Sequence, residues 1–287
     1  MRALARTFGP PLALFLLGIS FILTPHIAHA GQLKAIRFSD QSVIGIEKVL
    51  DEASLRRIII IGEYHELKAH HEAQLEIIKR VRERTSSMAI GLEMFSYLDN
   101  LFLERWSSGN ATEAEFRNLY ARRWTYPYEL YEDIFRYARN NGIPLIGLNA
   151  PHEITRKVRV SGFGSLTGEE LSILPPGISC NVTESYRGFI RSMMGMHGDM
   201  EGSFENFCEA QMVWDQTMAS VVSGYLDRNA ASRVVVLTGI LHAWKPAIPF
   251  QLKNFGMHSA SVIAPYLPDI QSPELNSSLV DYMLTGD

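Results

Sequence analysis

The sequence predicts an α/β fold: a mostly parallel sheet flanked by helices, with a helical insertion before the last strands. Three observations lead there. Short, nearly continuous apolar runs recur along the chain, the pattern of strands covered on both faces. Amphipathic segments of helical period separate them, and strand–helix alternation calls for a parallel sheet with crossovers. Polar and ionisable residues gather at the carboxyl ends of the runs, where an open parallel sheet forms its ligand crevice.

Residues 1–30 read as a signal peptide. Arg2 and Arg6 precede an apolar run over 12–23, and Ala28-His29-Ala30 has the small-residue pattern of a cleavage site. The run is shorter than the ~20 residues a spanning helix needs. A mature chain starting near Gly31 is expected, with no cysteine nearby for a lipid anchor. Residues 31–287 then form one domain. Its first strand is "IIIIG" at 58–62, followed by a helix over 67–83 and a second strand over 88–93. Helices over 98–106, 112–120 and 128–140 lead to a third strand at 143–148, with Asn140-Asn141-Gly142 as a left-handed glycine cap between. The insertion spans about 152–230, with strongly helical pieces at 183–196 and 204–226. A loop over 161–180 carries one short helix, capped by Thr167 and reinforced by Glu170. Strands at 233–238 and 259–264 follow, and the tail beyond Tyr266 is left unassigned.

With 287 residues and 46% hydrophobic content the chain can bury a substantial core. A net charge of −4, with both signs spread along the chain, provides no basic stripe, so nucleic acid is not an expected partner. In an exported protein, Cys180 and Cys208 read as a disulfide worth ~3 kcal/mol.

The strand ends carry the chemistry. Glu63 and His65 follow the first run, Glu93 the second, Asn149 and His152 the third, and His242 the fourth. Each alone could cap or complement the next helix. The set is more specific, because Gly-x-x-His occurs twice, at Gly62 to His65 and Gly239 to His242, each time directly after an apolar run. Imidazole and carboxylate together suit a divalent metal (Zn, Mn or Fe) held by Glu63, His65, Glu93 and His242. Without a metal they suit a general acid and base. His70 and His71 read as part of a solvated helix face. His197, at a Met-rich helix end, is either a dipole partner or a ligand over the site. Trp124, Tyr126, Tyr128 and Tyr131, with the methionines of the insertion, read as core or as an apolar shelf for a flat ligand.

"IIIIGEYHELKAHHEAQLEII", "IGLEMF", "RWTYPYELYEDIFRYARNNGIPLIGLNAP", "FCEAQMVWDQTMA" and "VVVLTGILHAWKPAIPFQL" together resemble the ChaN-like family of haem-binding uptake proteins. The wider superfamily includes Tiki-type proteases and erythromycin-esterase-like enzymes. The resemblance implies an exported, periplasmic or cell-surface haem-binding protein serving iron uptake. It also implies a homodimer and an outer-membrane haem or iron receptor as partner. A tyrosine iron ligand is implied, for which Tyr64, Tyr186 and Tyr225 are candidates beside His197. Likeness to Tiki-type relatives implies instead a metal-dependent hydrolase with Glu63, His65, Glu93 and His242 as its catalytic set.

Overall fold

The computed structural model describes residues 33–194, 203–257, 259–266 and 275–286. A short antiparallel pair opens the chain, β1 (Lys34–Arg37) and β2 (Ser42–Gly45), followed by α1 (Ile46–Ala53). The first long apolar run is β3 (Ile58–Glu63), buried throughout, and it leads into α2 (Lys68–Arg84) and β4 (Met88–Ser96). Three helices, α3 (Asn100–Ser107), α4 (Glu113–Arg123) and α5 (Glu132–Asn140), precede β5 (Leu145–Asn149). Between β5 and the next strand lie α6 (His152–Ser161), α7 (Gly168–Ile173), α8 (Glu184–Met194) and the 25-residue α9 (Phe204–Arg228). The chain ends with β6 (Arg233–Gly239), α10 (Ile240–Ala243), α11 (Ile248–Gln251), β7 (Ser261–Ala264) and β8 (Tyr282–Leu284).

The strands form one sheet in the order β2-β1-β8-β7-β3-β6-β4-β5. All neighbours from β8 to β5 are parallel, and β1 runs antiparallel to β8 and β2. Successive strand residues face opposite ways. Ile59 and Ile61 therefore enter one core with α1 to α5, while Ile58 and Ile60 enter the other with α8 to α11. Burial on both faces is why these runs are continuous rather than alternating. A third, smaller core joins α6 and α9 through Ile154, Val158, Ala210 and Val213.

The topology fixes where a site can form. From β3 the chain crosses to β4 on one side, and from β6 it crosses to β7 on the other, yet β3 and β6 are neighbours. Their connections leave in opposite directions and open a crevice between them at the carboxyl edge.

The five expected strands are present, as are the Thr167–Glu170 capping box and the positive φ of Gly142. Strands β1, β2 and β8 have three or four residues each, too short to show a period. The expected disulfide is not formed: Cys180 and Cys208 are free thiols. Cys180 Sγ donates instead to the Glu209 carbonyl at 3.4 Å, and Cys208 lies fully buried in the core between α8, α9 and the sheet. Burial pushes the Cys208 thiol up to about 11. The signal-peptide residues and His197 lie outside the described residues. Among those described, no helix is long and apolar enough to cross a membrane.

Candidate functional site

Gly62 and Gly239 set the local geometry. A Cβ at Gly62 would stand 2.5 Å from Ile240 Cδ1 and 3.1 Å from Ala243 Cβ, so a glycine there lets α10 settle onto β3. A Cβ at Gly239 would meet the His65 ring at 3.0 Å. Each Gly-x-x-His thus makes room for the other: the first glycine seats the helix that carries His242, and the second admits the ring of His65.

Glu63 continues the Ile59–Ile61 face of β3 and points into the layer of α2 and α5. It is 2% exposed, accepts hydrogen bonds from three side chains and is ion-paired with a fourth. Its Oε1 takes His65 Nδ1 at 2.7 Å and the Tyr131 hydroxyl, and its Oε2 takes Gln74 Nε2 at 2.7 Å and lies 3.3 Å from His71 Nδ1. Burial alone would raise this carboxyl, but the hydrogen bonds and charges of His65 and His71 outweigh it and hold Glu63 well below the usual carboxylate range. Burial likewise works against the charged forms of His65 and His71. Their bonds to Glu63 outweigh it and raise both imidazoles.

A second dyad comes from the opposite layer. Asp215, on α9 and 1% exposed, meets His242 Nδ1 through Oδ1 at 2.7 Å and accepts the Tyr186 hydroxyl on Oδ2 at 2.6 Å. Burial pushes the Asp215 carboxyl up. His242 is also raised, because the charges of Glu93 and Asp215 outweigh its burial. Both shifts mean that the pair holds its proton more firmly than free side chains would.

Glu93 stands between the dyads, in the carboxyl-terminal half of β4. Its Oε2 accepts the Thr238 hydroxyl at 2.7 Å and the Gly239 N–H at 2.6 Å, and its Oε1 lies 3.7 Å from His242 Nε2. Asn149 Nδ2 donates to the Glu93 carbonyl at 3.0 Å, tying β5 to this edge. Trp124 and Tyr126 form a wall against His65, each ring centroid 4.9 Å from the imidazole. The Tyr120 hydroxyl fixes the loop that bears them through the Tyr126 carbonyl at 2.9 Å, and Arg123 grips Asp99 with two nitrogens.

The structure therefore brings Glu63, His65, Glu93 and His242 to one edge, one carboxylate–imidazole dyad from the end of β3 and the turn after it and the other from α9 and α10. Among the described residues, no group of three or more His, Cys, Asp or Glu side chains is arranged to hold a metal ion. Within the metal set expected from the sequence, Glu63 has both oxygens engaged and each histidine turns Nδ1 to its own carboxylate. His70 and His71 correct a second expectation. Both are buried: His70 accepts the Tyr64 N–H on Nδ1 at 2.9 Å, and His71 Nε2 donates to the His65 carbonyl at 3.0 Å. His152 is exposed and does not join the cluster. Asp215 and Gln74 do not stand out in the sequence, although an acid inside the apolar stretch "QMVWDQTM" is a usable signal; Tyr131, expected as core or apolar shelf, is fully buried and adds its hydroxyl to Glu63.

The tyrosine candidates occupy different places. Tyr186 is buried with its hydroxyl bound to Asp215. Tyr225 sits near the end of α9, where Arg57 at the amino end of β3 donates to the Leu226 carbonyl at 3.1 Å, the far side of the sheet from the crevice. Tyr64 stacks on His70 beside the crevice. Haem needs an open axial donor and a flat apolar wall. His65 fits this demand: it is 22% exposed, its Nδ1 is anchored by Glu63, its Nε2 has no hydrogen bond among the described residues, and Trp124 and Tyr126 flank it.

Comparison with known proteins adds the family. The fold matches a structure titled as cofacial heme binding to ChaN of Campylobacter jejuni, with a TM-score of 0.69 and 17% identity over 88% of this chain and 96% of that one. It also matches the erythromycin esterase EreC H289N mutant in its open conformation, with a TM-score of 0.50 and 15% identity over 88% of this chain and 82% of that one. In sequence it is 25% identical over 232 residues to the chloroplastic protein RETICULATA-RELATED 5 of Arabidopsis thaliana. That match takes in 72% of this chain but spans only 31% of the plant protein. Residues 49–252 match the family described as haem-binding uptake, Tiki superfamily, ChaN, and the chain belongs to that family.

Proposed function

We propose that this chain is an exported haem-binding protein serving iron uptake, with its haem seated at the carboxyl edge of the sheet. The family match over residues 49–252 carries the reading. The local geometry supports His65 as the residue that would hold the haem iron. A ligating histidine works best when its other nitrogen is held by a carboxylate, which fixes the tautomer and strengthens the donor, and Glu63 stands 2.7 Å from His65 Nδ1. The ring of Trp124 and the ring of Tyr126 supply flat apolar surface beside it. When bound, haem would supply the iron that is carried. Glu63 orients the imidazole, Gly239 leaves it room, and the aromatic wall excludes water.

A homodimer and delivery to or from an outer-membrane receptor belong to the same proposal. Export rests on the leader-like residues 1–30. Hemin titration in chelator-treated buffer, followed at the Soret band, tests the reading. A saturable, shifted band near one haem per chain supports it, and featureless uptake overturns it.

One observation favours a second reading. The Asp215–His242 dyad places Nε2 of His242 3.7 Å from Glu93 Oε1, an imidazole and a carboxylate paired as a general acid and base would be. A hydrolase of this kind would turn over small esters or peptides and lose turnover on His242→Ala, whether or not hemin binds.

A further inference from the structure

The carboxylate behind His242 is the part of the cluster that neither Gly-x-x-His motif predicts. Asp215 projects from the middle of α9, is 1% exposed, and has each oxygen engaged once, Oδ1 with His242 Nδ1 at 2.7 Å and Oδ2 with the Tyr186 hydroxyl at 2.6 Å. His242 itself rides on a four-residue helix, too short to hold a ring by backbone alone. Its other close neighbours are the edge of Trp214, at 5.8 Å between centroids, and Glu93.

We propose that Asp215, braced by Tyr186, is the positioning residue for His242: the Tyr186–Asp215–His242 chain keeps the proton on Nδ1 and aims Nε2 at Glu93. A tyrosine O–H can donate to Asp215 but leaves Oδ1 free to accept the imidazole N–H. An imidazole with its Nδ1–H fixed in this way presents Nε2 as the acceptor to whatever occupies the gap beside Glu93. The arrangement assigns Tyr186 to the relay rather than to iron. It also makes the two histidines unequal. His65 is open at the crevice mouth and leans on a carboxylate with four partners, whereas His242 is buried and leans on a carboxylate with two.

The proposal rests on reading the strand-end crevice as the working site, but its test observes the imidazole directly and needs no haem or substrate. The ring nitrogens of the mature chain are read by nitrogen-15 NMR at one fixed pH, with His242 assigned from a His242→Asn variant and His65 as internal reference. The expected result in the wild type is a His242 protonated on Nδ1 with a strongly deshielded, slowly exchanging proton. Asp215→Ala should abolish that proton and mix the tautomers, Asp215→Asn should weaken it, and Tyr186→Phe should shift it without loss. The His65 signals should stay unchanged in all three. A purely structural Asp215 would lower stability and leave the His242 tautomer as it was, and that result overturns the proposal. A wild-type His242 protonated only on Nε2 overturns it without any variant.

Discussion

Glu63 shows most directly how a single residue shapes this site. A carboxylate removed from water is tolerated only when its lone pairs are filled, and here His65, Tyr131, Gln74 and His71 fill them. Glu63→Ala should therefore leave three donors, two of them fully buried, without their acceptor and cost about 3–5 kcal/mol of unfolding free energy, measured by urea denaturation. A loss below 1 kcal/mol would mean that water already satisfies these groups. Little of this was legible in the sequence. Glu63 and His65 stood out because they follow an apolar run ending in glycine. Their partner Gln74 sits in a helical segment whose polar residues look solvent-facing until the sheet is placed beneath them, and Tyr131 reads as apolar packing with no sign of where its hydroxyl goes. For the same reason His70 and His71 read as solvated: helical period shows which residues share a face but not how deep the neighbouring layer reaches.

Among the elements, the glycines that let them meet are the sharpest points. Gly62→Ala puts a methyl against Ile240 and Ala243, so α10 has to lift; the expected cost is about 1–3 kcal/mol, together with a displaced His242 ring. Gly147→Ala drives its methyl into the Ser96 carbonyl oxygen, a backbone atom between β4 and β5 that cannot swing aside, and should cost at least as much. Thermal melts of the two variants beside Thr167→Ala, where only a capping hydrogen bond is lost at about 1 kcal/mol, would rank these effects. The long strands and helices were legible because burial on both faces writes a continuous apolar run and burial on one face writes a period. The short strands β1, β2 and β8 were not, since three or four residues joined to a sheet largely by backbone hydrogen bonds leave no side-chain pattern. The free thiols differ from expectation for a related reason: sequence spacing does not orient two sulfurs, and Cys180 turns to the Glu209 carbonyl.

The whole molecule gathers ionisable groups from both helical layers at one edge, so its stability should follow their protonation. His65, His71 and His242 are raised above the 6.5 of a free imidazole. The folded chain binds their protons more tightly than the unfolded one. Their contribution is complete below 6.5 and is lost as pH rises through the folded values. Glu63 is held below 4.5, and its contribution is lost as pH falls past that value toward the folded one. His70, pushed down by burial, adds stability above 6.5 that is lost on acidification. Urea midpoints should therefore be highest between pH 4.5 and 6.5 and fall on both sides; a steady rise into the alkaline range would show that the imidazoles are not paired as described. At this scale the fold class was legible in full, and the gathering of Glu63, His65, Glu93 and His242 at one edge was legible because strand ends in a parallel sheet converge at a switch in connection direction. Asp215 was not, because it reaches the crevice from the middle of a helix rather than from a strand end. The most direct measurement of the haem reading is a hemin titration of the wild type beside His65→Ala. We expect saturable binding with an imidazole-type spectrum in the wild type and at least a tenfold weaker affinity in the variant; undiminished affinity, or a phenolate charge-transfer band in both, would contradict His65 as the donor at this site.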